Sequence, residues 1–205
     1  MNDAPVTHLL YLHGFRSSPK STKARMMAAW MHEHQPDVAW ACPQLPASPR
    51  EAMQCIDAIV ATWSPVGMAV IGSSLGGFYA TVLAERSGCR ASVLNPAVDP
   101  ARDLAGYIGE QKSWHGDDSF FFRAEYIDEL RAMTPPRPLI RPERYFSVIA
   151  KGDELLSWRE MRQRYSASNG LLVEGSDHAL SDFADHLPAV AAFLGFGTPP
   201  SAEHV

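Results

Sequence analysis

Three short stretches of this chain combine residue types that do chemistry together: Gly72-Ser73-Ser74-Leu75-Gly76, Lys151-Gly152-Asp153, and Gly175-Ser176-Asp177-His178. A serine hydroxyl becomes a nucleophile when a base takes its proton, and a histidine is such a base once a carboxylate fixes its tautomer. The first stretch is a GxSxG framed on Ser74, since Ser73 lacks glycines at the same offsets. Serine at such an elbow sits in a strained turn between strand and helix, where side chains two residues away on either side would collide. Gly72 and Gly76 fill those two places.

Composition alone produces a GxSxG in roughly one chain of this length in fifteen, so its setting decides. Met68 to Ile71 is an apolar strand run, and Leu75, Phe78, Val82 and Leu83 recur at helical spacing until Gly88 can end the helix. A glycine turn serving only helix-to-sheet packing is the plain alternative. A phosphate cradle is disfavoured, because the stretch is neither GxGxxG nor followed by Gly-Lys-Ser/Thr.

Acid and base follow in the chain order of elbow enzymes, Ser, then Asp, then His. Asp153 comes after the strand pattern ending at Ala150, and His178 after the one ending near Val173. Glu154, one residue on, and Asp99, after the fourth strand, are the alternative acids; Asp177 reads as a solvated loop residue. Two backbone N–H groups suit an oxyanion, that of Leu75 after the serine and that of Phe15 in the His13-Gly14-Phe15 turn. His13 shapes that turn, while His32, His34, His115 and His186 have no strand-end placement. No metal site and no cofactor is expected.

Six strand patterns position these loops: Thr7–Leu12, Val38–Cys42, Met68–Ile71, Ala91–Leu94, Tyr145–Ala150 and Gly170–Val173. Helical patterns stand between them. Ser48 with Pro49 and Glu51, and Ser157 with Glu160, form capping boxes that open two helices, and a last helix spans Phe183–Leu194. Strand-helix alternation predicts a three-layer α/β domain with a mostly parallel sheet and helices on both faces. Residues 1–195 are expected to form one domain, with a cap-like insertion over about 96–142 and a flexible tail at 196–205. The insertion holds Trp114, Phe120, Phe121 and Phe122, which either line an acyl pocket or pack the insertion onto the sheet.

The 205 residues carry a formal charge of −5 and are 46% apolar, with cationic residues scattered among acids. That composition argues against a nucleic-acid partner. Cys42, Cys55 and Cys89 form no CxxC pair, and Leu9 to Leu12 is too short for a signal peptide or a membrane span. A cytoplasmic protein without membrane insertion is expected.

With YLHGFRSSPKSTKA, PQLP, GSSLGGFYAT, NPAV, GDE and DHA in this order, the chain resembles the small bacterial esterases of the YqiA type in the α/β-hydrolase superfamily. The resemblance runs almost end to end and departs over 99–142 and beyond Leu194. It implies an α/β-hydrolase sheet without the leading antiparallel hairpin, no cofactor, and hydrolysis of small-molecule acyl esters or thioesters. It places nucleophile, acid and base on Ser74, Asp153 and His178, and the oxyanion turn on Phe15. A non-catalytic binding protein that kept fold and site is the rival from another class.

Overall fold

The computed structural model describes residues 4–114 and 119–197. Strand β1 (His8–Leu12) leads to helix α1 (Thr22–His34), then β2 (Ala39–Ala41), α2 (Pro49–Val60), β3 (Met68–Ser73), α3 (Leu75–Ser87) and β4 (Arg90–Leu94). The insertion follows: α4 (Pro100–Asp103), the strands β5 (Gly109–Lys112) and β6 (Ser119–Phe122), and α5 (Glu125–Ala132). The alternation resumes with β7 (Tyr145–Ala150), α6 (Trp158–Arg164), β8 (Asn169–Val173) and α7 (Phe183–Leu194).

Six strands form one sheet in the order β2-β1-β3-β4-β7-β8, and every pairing in it is parallel. The sheet is covered on both faces, which is why its central strands read as unbroken apolar runs. In β1, Leu9 and Tyr11 pack with Met27 and Met31 of α1 and with Leu187, Val190 and Leu194 of α7. Leu10 and Leu12 face the other way, toward Met53 and Ile56 of α2 and Phe78 and Leu83 of α3. This is the strand period of two, read out as two separate cores.

Both expected capping boxes show their serine contact. The Ser48 hydroxyl accepts from Glu51 N at 3.2 Å and that of Ser157 from Glu160 N at 3.4 Å. Gly88 closes α3 at φ 75°, a left-handed conformation that glycine adopts without a Cβ clash.

Two features were not foreseen. The insertion contains an antiparallel hairpin, β5 with β6, which no pattern in the sequence announced. Phe196, assigned to the tail, is instead buried in the α1/α7 core and tilted against Trp30. The rest of that tail, 198–205, lies outside the described residues, as does His115.

Candidate active site

The register of the parallel sheet brings the carboxyl ends of β1, β3, β4, β7 and β8 to one edge, the edge where open α/β sheets present their loops to ligands. Ser74 stands on the one-residue turn between β3 and α3 at φ 55°, ψ −119°, a conformation a non-glycine residue holds only when its surroundings enforce it. Here β4 does so. Ser74 N donates to Leu94 O at 3.0 Å, and Ser74 O accepts from Ala97 N at 3.0 Å.

The flanking glycines have no substitute at this turn. A Cβ on Gly72 would stand 2.2 Å from Gly76 O, and one on Gly76 would stand 2.0 Å from Leu12 O. Both obstacles are backbone, so no side chain can swing away to relieve them.

The serine hydroxyl lies 3.1 Å from His178 Nε2, and His178 Nδ1 lies 2.8 Å from Asp153 Oδ2. A carboxylate only accepts, so Nδ1 carries the proton and Nε2 is left to accept from Ser74. The other carboxylate oxygen of Asp153, Oδ1, accepts the N–H groups of Leu155 and Leu156 at 2.9 and 2.8 Å. The Asp153 side chain is 0% exposed and that of His178 18%. The Asp153 carboxylate is thereby shut away from solvent, while the His178 ring keeps a small opening.

The other acidic residues considered from the sequence make different contacts. Asp99 caps α4, accepting from Arg102 N. Glu154 is at the site but grips the main chain, its Oε2 accepting His178 N at 3.0 Å. Asp177 accepts the N–H and hydroxyl of Ser181, which hold its carboxyl below the usual carboxylate range.

Gly14 is pressed against the serine, with the place its Cβ would occupy 3.1 Å from Ser74 Cβ and 3.6 Å from Oγ. His13, buried behind it, bridges two loops: its Nε2 accepts Leu45 N at 3.1 Å and its Nδ1–H donates to Gly14 O at 2.9 Å. Leu75 is the first residue of α3, where the backbone N–H has no carbonyl of its own helix to reach.

Beside this loop lies a cleft of about 510 Å³, walled by Phe15, Leu45, Pro46, Leu75, Tyr79 and Phe120, with Arg16, Lys20 and Gln44 also lining it. Of the four insertion aromatics only Phe120 reaches it. Phe122 is 0% exposed and packs edge-on against Phe15 and Tyr126, whereas Phe121 and Trp114 are 61% and 64% exposed. Trp114 lies under the Arg16 guanidinium, 4.3 Å from the ring centre.

Asn95 was missed by sequence reasoning. It is fully buried at φ 42°. Its Nδ2 donates to the carbonyls of Asp177 and His178 at 2.9 and 3.2 Å, and its Oδ1 accepts Ala150 N at 2.8 Å. One side chain thus ties the end of β7 to the histidine loop. The Asn-Pro after β4 was the available signal, because a loop asparagine tolerates the left-handed region and bonds nearby backbone. Among the described residues no group of three His, Cys, Asp or Glu is arranged to hold a metal, and no helix is long and apolar enough to cross a membrane.

Comparison with solved structures places this architecture in the α/β-hydrolase fold. The chain superposes on a putative hydrolase from Agrobacterium vitis with a TM-score of 0.68 at 16% identity, covering 93% of this chain and 91% of that one. On the esterase domain of a Rhodothermus marinus protein the TM-score is 0.61 at 20% identity, covering 93% and 88%. At these identities the likeness is one of fold. In sequence, a UPF0227 protein of Yersinia pestis is 23% identical over 194 residues, covering 92% of this chain and 99% of the relative. The model of the uncharacterised protein family UPF0227 matches residues 8–195, and the chain is a member of that family.

Proposed function

We propose that the protein is a serine hydrolase of small-molecule acyl esters or thioesters. The observation that carries this reading is the unbroken chain Ser74 Oγ, His178 Nε2, His178 Nδ1, Asp153 Oδ2, at 3.1 and 2.8 Å. Ser74 attacks the acyl carbonyl while His178 accepts its proton, and Asp153 steadies the imidazolium that forms. The backbone N–H groups of Phe15 and Leu75 receive the negative charge on the carbonyl oxygen. His178 then protonates the departing alcohol or thiol, and water, deprotonated by the same base, releases the acid.

The cleft wall supports an apolar acyl group, since Phe15, Leu45, Pro46, Leu75, Tyr79 and Phe120 are all hydrocarbon or aromatic and a small-molecule site of roughly 300–1,000 Å³ is usual. Residues 1–195 act as one domain in this reading, and the insertion contributes Phe120 to the substrate wall.

The test is intact mass after treatment with a fluorophosphonate. One adduct is expected on the wild type and none on Ser74→Ala, followed by turnover of p-nitrophenyl esters of increasing chain length. A folded wild type that takes no adduct and turns over no ester would move the binding-protein reading to the front.

A further inference from the structure

The cleft beside Ser74 has a sign of its own. Arg16 and Lys20 both line it, and its described lining contains no Asp or Glu. The chain as a whole leans the other way, with 23 acidic residues against 18 Lys and Arg.

The protein does not answer these two cations with acids of its own. Arg16 Nε donates to Lys112 O at 2.7 Å and the guanidinium lies 4.3 Å from the Trp114 ring centre, but among the described residues its terminal nitrogens meet no carboxylate. Lys20 is exposed and likewise without an ion pair among the described residues. Lys23, further along the same segment in α1, is committed to the carbonyl of Ala179. A second cavity, of about 590 Å³, shows the opposite arrangement. Arg102, Arg137 and Arg164 line it together with Asp99 and Glu160, and Arg102 grips Glu160 through both terminal nitrogens, at 3.1 and 2.7 Å.

Arg16 is also close to the nucleophile along the chain. Gly14, two residues before it, would carry a Cβ 3.6 Å from Ser74 Oγ, and Leu75, next to the serine, lines the same cleft. A guanidinium already held by a ring and one hydrogen bond loses little freedom when a carboxylate or phosphate docks on its remaining N–H groups.

We propose that the substrate carries an anionic group, a carboxylate or a phosphate, away from the scissile carbonyl, and that Arg16 and Lys20 bind it. The inference rests on the serine-hydrolase reading above and narrows it: the apolar wall takes hydrocarbon, and the two cations select among esters by charge. Were Arg16 only a staple for the hairpin, neither its charge nor Lys20 would affect that choice.

The experiment compares kcat/KM within two matched pairs of esters, after fluorophosphonate labelling has shown Ser74 to be active. In the first pair the charge is on the acyl chain, mono-p-nitrophenyl suberate against p-nitrophenyl octanoate. In the second it is on the alcohol, the octanoate ester of hydroxyethyl phosphate against ethyl octanoate. The wild type is expected to prefer the anionic member of one pair by about tenfold, and the pair that shows it tells which part of the substrate bears the charge. Arg16→Gln should reduce that ratio by about fivefold, and Lys20→Gln by about twofold because its charge is exposed and screened. Each ratio is read on a single enzyme, so a loss common to both esters, as from a disturbed hairpin, cancels.

Ratios near one in both pairs overturn the proposal and leave Ser74 labelling, with the hydrolase reading, intact. A preference that survives Arg16→Gln combined with Lys20→Gln overturns it as well, since the charge is then met by other groups. A wild type that takes no adduct and hydrolyses none of the four esters overturns both readings.

Discussion

The strand-end loops and the insertion obey different rules, although both supply walls of the same cleft. At the strand ends a residue's place follows from counting: Ser74 comes directly after β3, Asp153 three residues after β7, and His178 five after β8. Parallel register then carries all three to one edge. In the insertion, position along the chain says little until the pairing partner is known. Phe120, Phe121 and Phe122 are chemically one run, yet β6 turns them alternately to the cleft, to solvent and to the core. A parallel sheet buried on both faces makes residue type informative, and a lone hairpin makes side decide.

The widest separation between the two regions should appear in turnover. Ser74→Ala and His178→Ala are each expected to lose on the order of a million-fold in ester hydrolysis, and Asp153→Asn about ten-thousand-fold, with unfolding temperatures close to wild type. Asp99→Asn should stay near the wild-type rate. A large loss there together with a mild one at Asp153 would undo the counting argument. Gly76→Ala tests the elbow through folding: its Cβ meets Leu12 O at 2.0 Å, so destabilisation of about 4 kcal/mol or more is expected in urea titration.

Within the insertion the contrast is between adjacent phenylalanines. Phe122→Ala should cost about 3–5 kcal/mol by leaving a cavity, while Phe121→Ala should stay within about 0.5 kcal/mol in the same titrations. Equal losses would mean that β6 does not alternate as described. The smallest effect is specific: Phe120→Ala should lower kcat/KM for longer acyl chains by about tenfold and leave acetyl esters nearly untouched, as removal of apolar contacts from a pocket does. A uniform loss across chain lengths would place the acyl group elsewhere.

Local signals were legible wherever the physics was local. Ser48 and Ser157 announced their helices because a cap and its partner are three residues apart, and the pattern over 183–194 matches α7, which Gly195 ends in the structure at φ 93°. The elbow was readable because its glycine spacing is local: Gly72 answers a clash inside the motif, with Gly76 O, although the obstacle at Gly76 is Leu12 O of β1.

What escaped depends on distant partners. Asn95 acquires its role from Ala150, Asp177 and His178. Glu129, an unremarked acid on α5, takes the Ser48 hydroxyl at 2.7 Å and Arg50 N at 3.0 Å, docking the insertion on the start of α2. Phe196 lies past a helix-ending glycine, where the sequence reads as tail, and its burial comes from the core it joins, Trp30 of α1 among its partners. Lys23 sat inside a recognised motif without a stated task, because the carbonyl it meets lies 156 residues away.

One contact set bears on how the molecule can move. Arg16, at φ 61°, donates through Nε to Lys112 O at 2.7 Å, and its own carbonyl accepts Trp114 N at 2.7 Å. The residue after Phe15 is thus spliced to the hairpin on both its side chain and its main chain. Lifting the hairpin away from the cleft would break both bonds and pull on the turn that presents the Phe15 N–H. On the serine-hydrolase reading, an opened hairpin would also displace the proposed oxyanion donor, so that admitting substrate and transferring its acyl group would exclude one another.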